Sequence, residues 1–173
     1  REGSVRIRLD SLKREGRQLR LDLDTAWAAT AAEVALESAP TMLSGDLDLA
    51  RKGEGIVVTG SLSTSADLPC ARCGEAVPTT VTTEVDLTYL SPSAPNSEEV
   101  ELSSEDLDVG WLEDNQLDVD SVVSEALTLA LPSRTLCTDT QACDLRTEAL
   151  LADATKRVGA QGHLGFADLD KLV

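Results

Sequence analysis

Four cysteines constrain the fold of this chain more than any other feature, because they form two pairs far apart in the sequence. Two residues separate Cys70 from Cys73, five separate Cys137 from Cys143, and 63 residues lie between the pairs. A structural Zn²⁺ site takes four ligands in a tetrahedron, often two from one tight turn and two from elsewhere in the chain. The pairs predict one shared zinc site, which would require the chain to fold back on itself.

Other states of these cysteines stay open at the level of sequence. A thioredoxin-type redox pair needs its first cysteine at the start of a helix, whereas Pro78 and a β-branched run follow Cys73. Disulfides within each pair are disfavoured because the cytosol, where this chain is expected, is reducing, and because only two residues separate the first pair. Unconnected free thiols remain an alternative, since the spacer before Cys143 is wider than in a usual knuckle.

Neighbouring residues favour a structural metal site over a catalytic one. Gly74 suits a turn whose backbone amides point at the sulfurs, and Arg72 would help to keep the thiolates ionised. Four thiolates close the coordination shell and leave no position for water. The one histidine, His163, lies in a glycine-rich segment and is interpreted as a surface residue. Phosphate loops and hydrolase motifs are absent, so the sequence predicts no enzyme.

Hydrophobic periodicity predicts the secondary structure. Alternating residues predict a hairpin-like start followed by three longer strands, at 5–9, 19–23, 43–51, 55–68 and about 77–90. Helical spacing predicts three helices, at about 26–37, between Asp118 and Pro132, and at roughly 144–157. The fold class is therefore α+β over residues 1–173, one domain with a mainly antiparallel, barrel- or sandwich-like sheet, a few helices and a zinc knuckle.

The formal net charge of −16 is concentrated in the middle of the chain. Between Cys73 and Ser133 there are fourteen acidic residues and no basic one, and eleven of the acids lie from Glu98 to Glu125. Such a field repels phosphate backbones, so a basic protein is the expected partner. The alternative is that these acids only solvate a loop. Pro, Ser and acidic residues predict a mobile acidic loop over 91–117.

Basic residues near the amino terminus favour a second hypothesis, direct RNA binding. Six of them fall within fifteen residues: Arg6, Arg8, Lys13, Arg14, Arg17 and Arg20. They could form a local positive patch, or they could pair with nearby acids on a solvated strand face.

A third hypothesis is a protein-interaction module whose fold is held together by zinc. No run of 18 apolar residues exists and the start lacks an apolar stretch, so a cytoplasmic protein is expected, with no membrane partner and no small-molecule substrate.

Three motifs in order resemble a known family. They are CARCGEAV at 70–77, EALTLALP at 125–132 with Cys137 five residues on, and FADLDKLV at 166–173. This pattern is similar to the YceD-like family of large ribosomal RNA subunit accumulation proteins, although Gly74 and Ala76 depart from the family's first motif. The resemblance implies a non-enzymatic factor in ribosome assembly that supports accumulation of large-subunit (23S-type) ribosomal RNA, with a pre-ribosomal particle or a basic ribosomal protein as partner.

Overall fold

The computed structural model describes residues 5–13, 15–91 and 109–158. The chain divides into two compact units. The first, here called the sheet unit, comprises Arg1–Leu68 and Pro78–Pro132. The second, the cysteine unit, comprises Pro69–Val77 and Ser133–Val173. The expectation of a single domain over 1–173 stays a prediction.

Two sheets and three α-helices make up the described residues. The strands are β1 (Arg6–Arg8), β2 (Arg17–Asp22), β3 (Met42–Lys52), β4 (Gly55–Pro69), β5 (Ala76–Leu90), β6 (Val109–Trp111) and β7 (Gln116–Asp118). The helices are α1 (Ala26–Leu36), α2 (Val119–Ala130) and α3 (Thr140–Val158), and a 3₁₀ turn spans Leu9–Ser11. The larger sheet has the order β2-β3-β4-β5-β6, and β1 pairs with β7 in a two-stranded sheet. The predicted α+β class with a mainly antiparallel sheet is confirmed.

Strand alternation separates the two faces of the larger sheet. In β3, Leu43, Leu47 and Leu49 are buried while Asp46 and Asp48 between them are exposed. Strand β3 pairs antiparallel with both β2 and β4. The hydroxyl pairs Ser63–Thr82 and Ser65–Thr80 run in opposite directions along β4 and β5, which fits an antiparallel arrangement there as well. One face of the sheet is therefore apolar and the other is polar.

Small side chains on α1 build the core of the sheet unit together with α2. Ala28 and Ala32 are fully buried on α1, and Val123 and Leu127 are fully buried on α2. These residues belong to the same cluster as the inward leucines of β3. Alanine lets helices approach closely, so a chain with only four aromatic residues can still fill a core with Leu, Val and Ala.

The predicted hairpin at the start of the chain is wrong. Both strands form, but β1 pairs with β7 in the register Ile7↔Leu117, and β2 pairs with β3 in the register Leu21↔Gly45. Leu9 begins the 3₁₀ turn and Leu12 follows it, and both are buried and join the core between the two strands. Periodicity identifies a strand and its buried face, whereas the partner is selected by packing of residues distant in the sequence.

The predicted loop over 91–117 includes two short strands. Strand β6 pairs in parallel with the end of β5, in the register Thr88↔Val109, and β7 pairs with β1. Both are only three residues long, too short for an alternating pattern to stand out in the sequence. Residues 92–108 of this range lie outside the described residues, and the predicted mobility of the loop stays a prediction.

The predicted helices are present, with differences at their ends. Asp118 caps α2 by accepting a hydrogen bond from the Ser121 amide at 3.2 Å, as predicted. Thr25 occupies the N-cap of α1, but its hydroxyl donates to Asp22 Oδ1 instead of capping the helix. Helix α3 begins at Thr140, four residues earlier than predicted. No helix in the described ranges is long and apolar enough to cross a membrane.

Candidate metal centre

The four cysteine sulfurs meet within the cysteine unit. All four Sγ atoms, those of Cys70, Cys73, Cys137 and Cys143, lie within 4.8 Å of one another. The Sγ atoms of Cys70 and Cys143 are 3.8 Å apart, and those of Cys73 and Cys137 are 3.6 Å apart. Each short distance joins one cysteine of the first pair to one of the second. The structure thus brings together every residue predicted as a metal ligand.

These distances match a metal site and exclude disulfides. Zn²⁺ bound by four thiolates at about 2.3 Å places neighbouring sulfurs about 3.8 Å apart at the edges of a tetrahedron. A disulfide requires an S–S separation of about 2.05 Å, and all four cysteines here are free. The donor set, four sulfurs with no histidine or carboxylate in the group, is one that Zn²⁺ prefers. The residues present therefore fit a zinc ion.

A tight turn after β4 positions the first pair. The Cys70 amide donates to the Glu75 carbonyl at 2.8 Å, and the Gly74 amide donates to the Cys70 carbonyl at 2.9 Å. Gly74 has φ +74°, a left-handed conformation that favours glycine. The Ala71 amide donates to the Thr135 carbonyl at 2.8 Å, which joins this turn to the segment before Cys137. Gly74 thus provides the left-handed residue that closes this turn.

The start of α3 positions the second pair. Asp139 accepts from the Ala142 amide through its side chain at 3.0 Å and from the Cys143 amide through its carbonyl at 3.1 Å. These bonds place Cys143 in the first turn of the helix, and Cys137 precedes the helix by three residues. The five-residue spacer is wider than in a knuckle because it contains this helix start. A wide spacer is therefore compatible with a common site.

Three of the sulfur-bearing residues are buried and the fourth is partly exposed. Cys70, Cys73 and Cys143 are 3%, 7% and 2% exposed, while Cys137 is intermediate. In the described part of the cysteine unit, their apolar cluster contains only Val77 and Cys137 besides these three. The cysteines are thus both the candidate ligands and the core of this unit.

The surroundings shift the four thiol pKa values in opposite directions. Backbone amides of Cys73 and Arg72 lower the pKa of Cys70 to about 5. The Arg146 guanidinium lowers the pKa of Cys73, with help from the Glu75 amide. Burial raises the pKa of Cys137, and burial together with the neighbouring thiols raises the pKa of Cys143 to about 12. The turn therefore favours thiolates, and a bound cation would favour the thiolate form of the second pair as well.

Arg146 is the site residue that the sequence analysis missed. Its Nη2 lies 3.5 Å from Cys137 Sγ, and its Nε lies 3.9 Å from Glu75 Oε2. The expected cation, Arg72, pairs its guanidinium with Asp144 at 2.5 Å, acts on Cys143 and Cys70 through its charge, and lowers the Cys70 pKa through its backbone amide. A signal existed in the sequence, because Arg146 follows Cys143 by three residues and so projects from the same side of a helix.

The other predicted site residues fall partly outside the described ranges. His163 lies outside them, as do residues 98–108 of the acidic segment. Within the sheet unit, three of the amino-terminal arginines pair with acids: Arg6 with Asp118, Arg8 with Asp10, and Arg20 with Asp46. These pairs agree with the interpretation of a solvated strand face.

Comparison with known proteins identifies one family. The family model described as large ribosomal RNA subunit accumulation protein YceD matches residues 58–172, which include all four cysteines. No curated protein and no solved structure gives a significant match. The match covers about two thirds of the chain and agrees with the three sequence motifs. The chain therefore belongs to the YceD family of large ribosomal RNA subunit accumulation proteins.

Proposed function

We propose that this chain is a non-enzymatic, cytoplasmic ribosome-assembly factor that binds a basic ribosomal protein through its acidic surface. A structural zinc ion would hold the cysteine unit together. The family match over residues 58–172 carries the role in accumulation of large-subunit ribosomal RNA. The electrostatics of the described residues support the partner, and the sulfur geometry supports the metal.

The zinc proposal depends on the composition and burial of the cysteine cluster. Cys70, Cys73, Cys137 and Cys143 would hold the ion, and four thiolates leave no coordination position for water or substrate. The bound ion would supply cross-linking of the turn to the start of α3. Since the described part of the cysteine unit has no other apolar cluster, metal binding would supply most of its folding free energy.

Elemental analysis of the purified protein tests the metal. One zinc per chain is expected for the wild type and for the exposed control Thr138→Ser. Cys73→Ser and Cys143→Ser should lose most of the zinc, because each removes one of four ligands. Wild-type protein purified without zinc, and unable to bind added Zn²⁺ under reducing conditions, would overturn this part of the proposal.

In the acidic segment from Glu98 to Glu125, the acids from residue 109 onward lie in the described part of the chain and form two groups. Asp118 caps α2 and pairs with Arg6, and Asp120 accepts a hydrogen bond from the Val5 amide at 3.0 Å. These two carboxylates are engaged within the fold. Glu113, Asp114 and Glu125 are exposed and available to a partner.

The polar face of the larger sheet carries further exposed acids. Four exposed carboxylates on β3 and β5 define what we call the acidic sheet face: Asp46, Asp48, Glu84 and Asp86. Its remaining outward side chains on β4 are mainly hydroxyls, such as Ser61 and Thr59. Arg20 pairs with Asp46 at 3.4 Å. A sheet face with this charge would attract a basic protein and repel RNA.

Retention of ribosomal proteins at two salt concentrations tests the partner. Immobilised protein should retain a basic large-subunit protein at low salt and release it as salt screens the charges. Neutralising the acidic sheet face with Asp46→Asn, Asp48→Asn, Glu84→Gln and Asp86→Asn should weaken retention. The matched control neutralises four exposed acids outside this face: Glu15, Asp24, Glu33 and Glu54. Equal loss in both sets would assign the effect to net charge alone and reject this face.

Direct RNA binding is the competing outcome of the same experiment. Because Arg6, Arg8 and Arg20 are paired with acids, we expect a ribosomal RNA hairpin to bind weakly. Retention of naked ribosomal RNA, abolished by changing these three arginines to alanine, would replace the protein-partner proposal.

A further inference from the structure

The sulfurs of the four-cysteine cluster differ in what contacts them. Backbone amides of Arg72 and Cys73 stabilise the Cys70 thiolate, whereas the Cys73 thiolate is stabilised first by the Arg146 guanidinium and then by the Glu75 amide. In the second pair, the Cys143 amide is used by the helix, since it donates to the Asp139 carbonyl. Among the described residues, the Arg146 guanidinium donates a hydrogen bond from Nη2 to Cys137 Sγ. Arg146 is thus a charged side chain that acts on one sulfur of each pair, Cys73 and Cys137.

The position of Arg146 suits this role. Its guanidinium is partly buried, with Nη2 at 3.5 Å from Cys137 Sγ. Its Nε is buried, makes no hydrogen bond, and lies 3.9 Å from Glu75 Oε2. A side chain as long as arginine loses considerable rotamer freedom when it is held in this way. The contact with sulfur and the ion pair with the turn are what offset that cost.

A zinc ion with four thiolates carries a net charge of −2, which is costly to bury unless nearby donors offset it. We infer that Arg146 is a positioning residue for the metal centre: it orients Cys137 and offsets the charge of the sulfur cluster. This inference rests on the proposed zinc site and adds to it a residue that is not a ligand.

A purely structural role is the competing explanation, because Arg146 also links α3 to the turn through Glu75. Arg72 and Asp144 provide a matched control for it. Their ion pair joins the same two segments, residues 69–77 and α3, at 2.5 Å. No hydrogen bond from the Arg72 guanidinium to a sulfur occurs among the described residues. Removing Arg72 therefore removes a link between the same segments and a longer-range charge effect on Cys143 and Cys70, but no hydrogen bond to a sulfur.

The experiment compares metal affinity and spectra of Arg146→Gln, Arg146→Lys and Arg72→Gln. Competition with a chromophoric chelator should show zinc binding at least about 10-fold weaker in Arg146→Gln, and less than about 3-fold weaker in Arg72→Gln. With Co²⁺ as the probe, the sulfur-to-metal charge-transfer band should shift to lower energy only in Arg146→Gln, because a thiolate without its donor is more electron-rich. Arg146→Lys keeps the charge and should recover part of the lost affinity.

A charge swap separates the ion pair from the sulfur contact. The double variant Glu75→Arg with Arg146→Glu restores an ion pair between the two positions but places a carboxylate beside Cys137. Zinc binding should stay at least as weak as in Arg146→Gln, and wild-type affinity in the swap would overturn the inference. Equal affinities and spectra of Arg146→Gln and Arg72→Gln would also overturn it. A wild type without zinc would instead refute the proposed metal itself, so the two failures are distinguishable.

Discussion

Helix α3 is expected to lose much of its helicity when metal is removed from the cysteine unit. Its exposed side chains include Leu145, Leu150 and Leu151, at 69%, 53% and 62%, whereas Cys143 is 2% exposed. The helix is therefore anchored mainly at its first turn, by the residue that would bind the ion. Most helical stability in proteins comes from packing of a buried face, and the described side chains of α3 after Thr147 are exposed, so the anchor decides whether the helix forms.

The size of the effect follows from the helix lengths. The three described α-helices have 11, 12 and 19 residues, so α3 holds 19 of 42 helical residues. Complete loss of α3 would lower the helical circular dichroism signal at 222 nm by about 45%, and partial fraying would lower it less. We expect a loss of at least half of that maximum when a chelator is added under reducing conditions, and recovery when Zn²⁺ is restored.

Tryptophan fluorescence supplies an internal control for this measurement. Both tryptophans, Trp27 and Trp111, lie in the sheet unit, and Trp27 packs against its core. That core cluster contains none of the cysteines. The emission maximum should therefore stay unchanged while the helical signal falls. An unchanged helical signal after verified metal removal would refute the anchoring role of the metal. A red shift of the emission that accompanies loss of the helical signal would show that the loss of structure is not confined to the cysteine unit.

Three further predictions concern the core, a glycine and the pH dependence of metal binding. Leu127→Ala removes a fully buried side chain and should lower the free energy of unfolding by about 2–5 kcal/mol in urea titrations, whereas Leu129→Ala, 79% exposed, should change it by less than about 0.5 kcal/mol. Gly60 has φ +151°, and a Cβ there would lie 2.0 Å from the Asp46 carbonyl oxygen, so Gly60→Ala should lower the free energy of unfolding by more than about 1 kcal/mol. Gly53 has φ +61° and nothing within 4 Å of its Cβ position, so Gly53→Asn is a control that should be tolerated. Equal losses of stability in the two variants would contradict this reasoning. Zinc affinity should fall as pH falls from 8 to 6, because Cys137 and Cys143 have raised pKa values and must release their protons to bind. Calorimetry in several buffers measures the number of protons released for each zinc ion bound, and a value below about one would contradict this prediction.

Much of this protein could be predicted from the chain because the relevant signals are local. Alternation marked β3 and β4 on both sides of one tight turn, and Asp118 marked the start of α2. Cysteine is the residue type that best indicates a zinc site, and two spaced pairs were sufficient to nominate all four sulfurs. Three short motifs were sufficient for the family, which the family model confirms over residues 58–172.

Tertiary structure decided the features that depend on contacts between distant residues. It paired β1 with β7 across more than a hundred residues, because burial of Ile7 and Leu117 selects a partner that periodicity does not name. It also placed Arg146 in hydrogen-bond contact with Cys137, whereas the Arg72 guanidinium pairs with Asp144 and acts on Cys143 and Cys70 only through its charge. Residue type and spacing determine which groups can meet, whereas the orientation of a long side chain depends on competing partners that only the folded chain brings within reach.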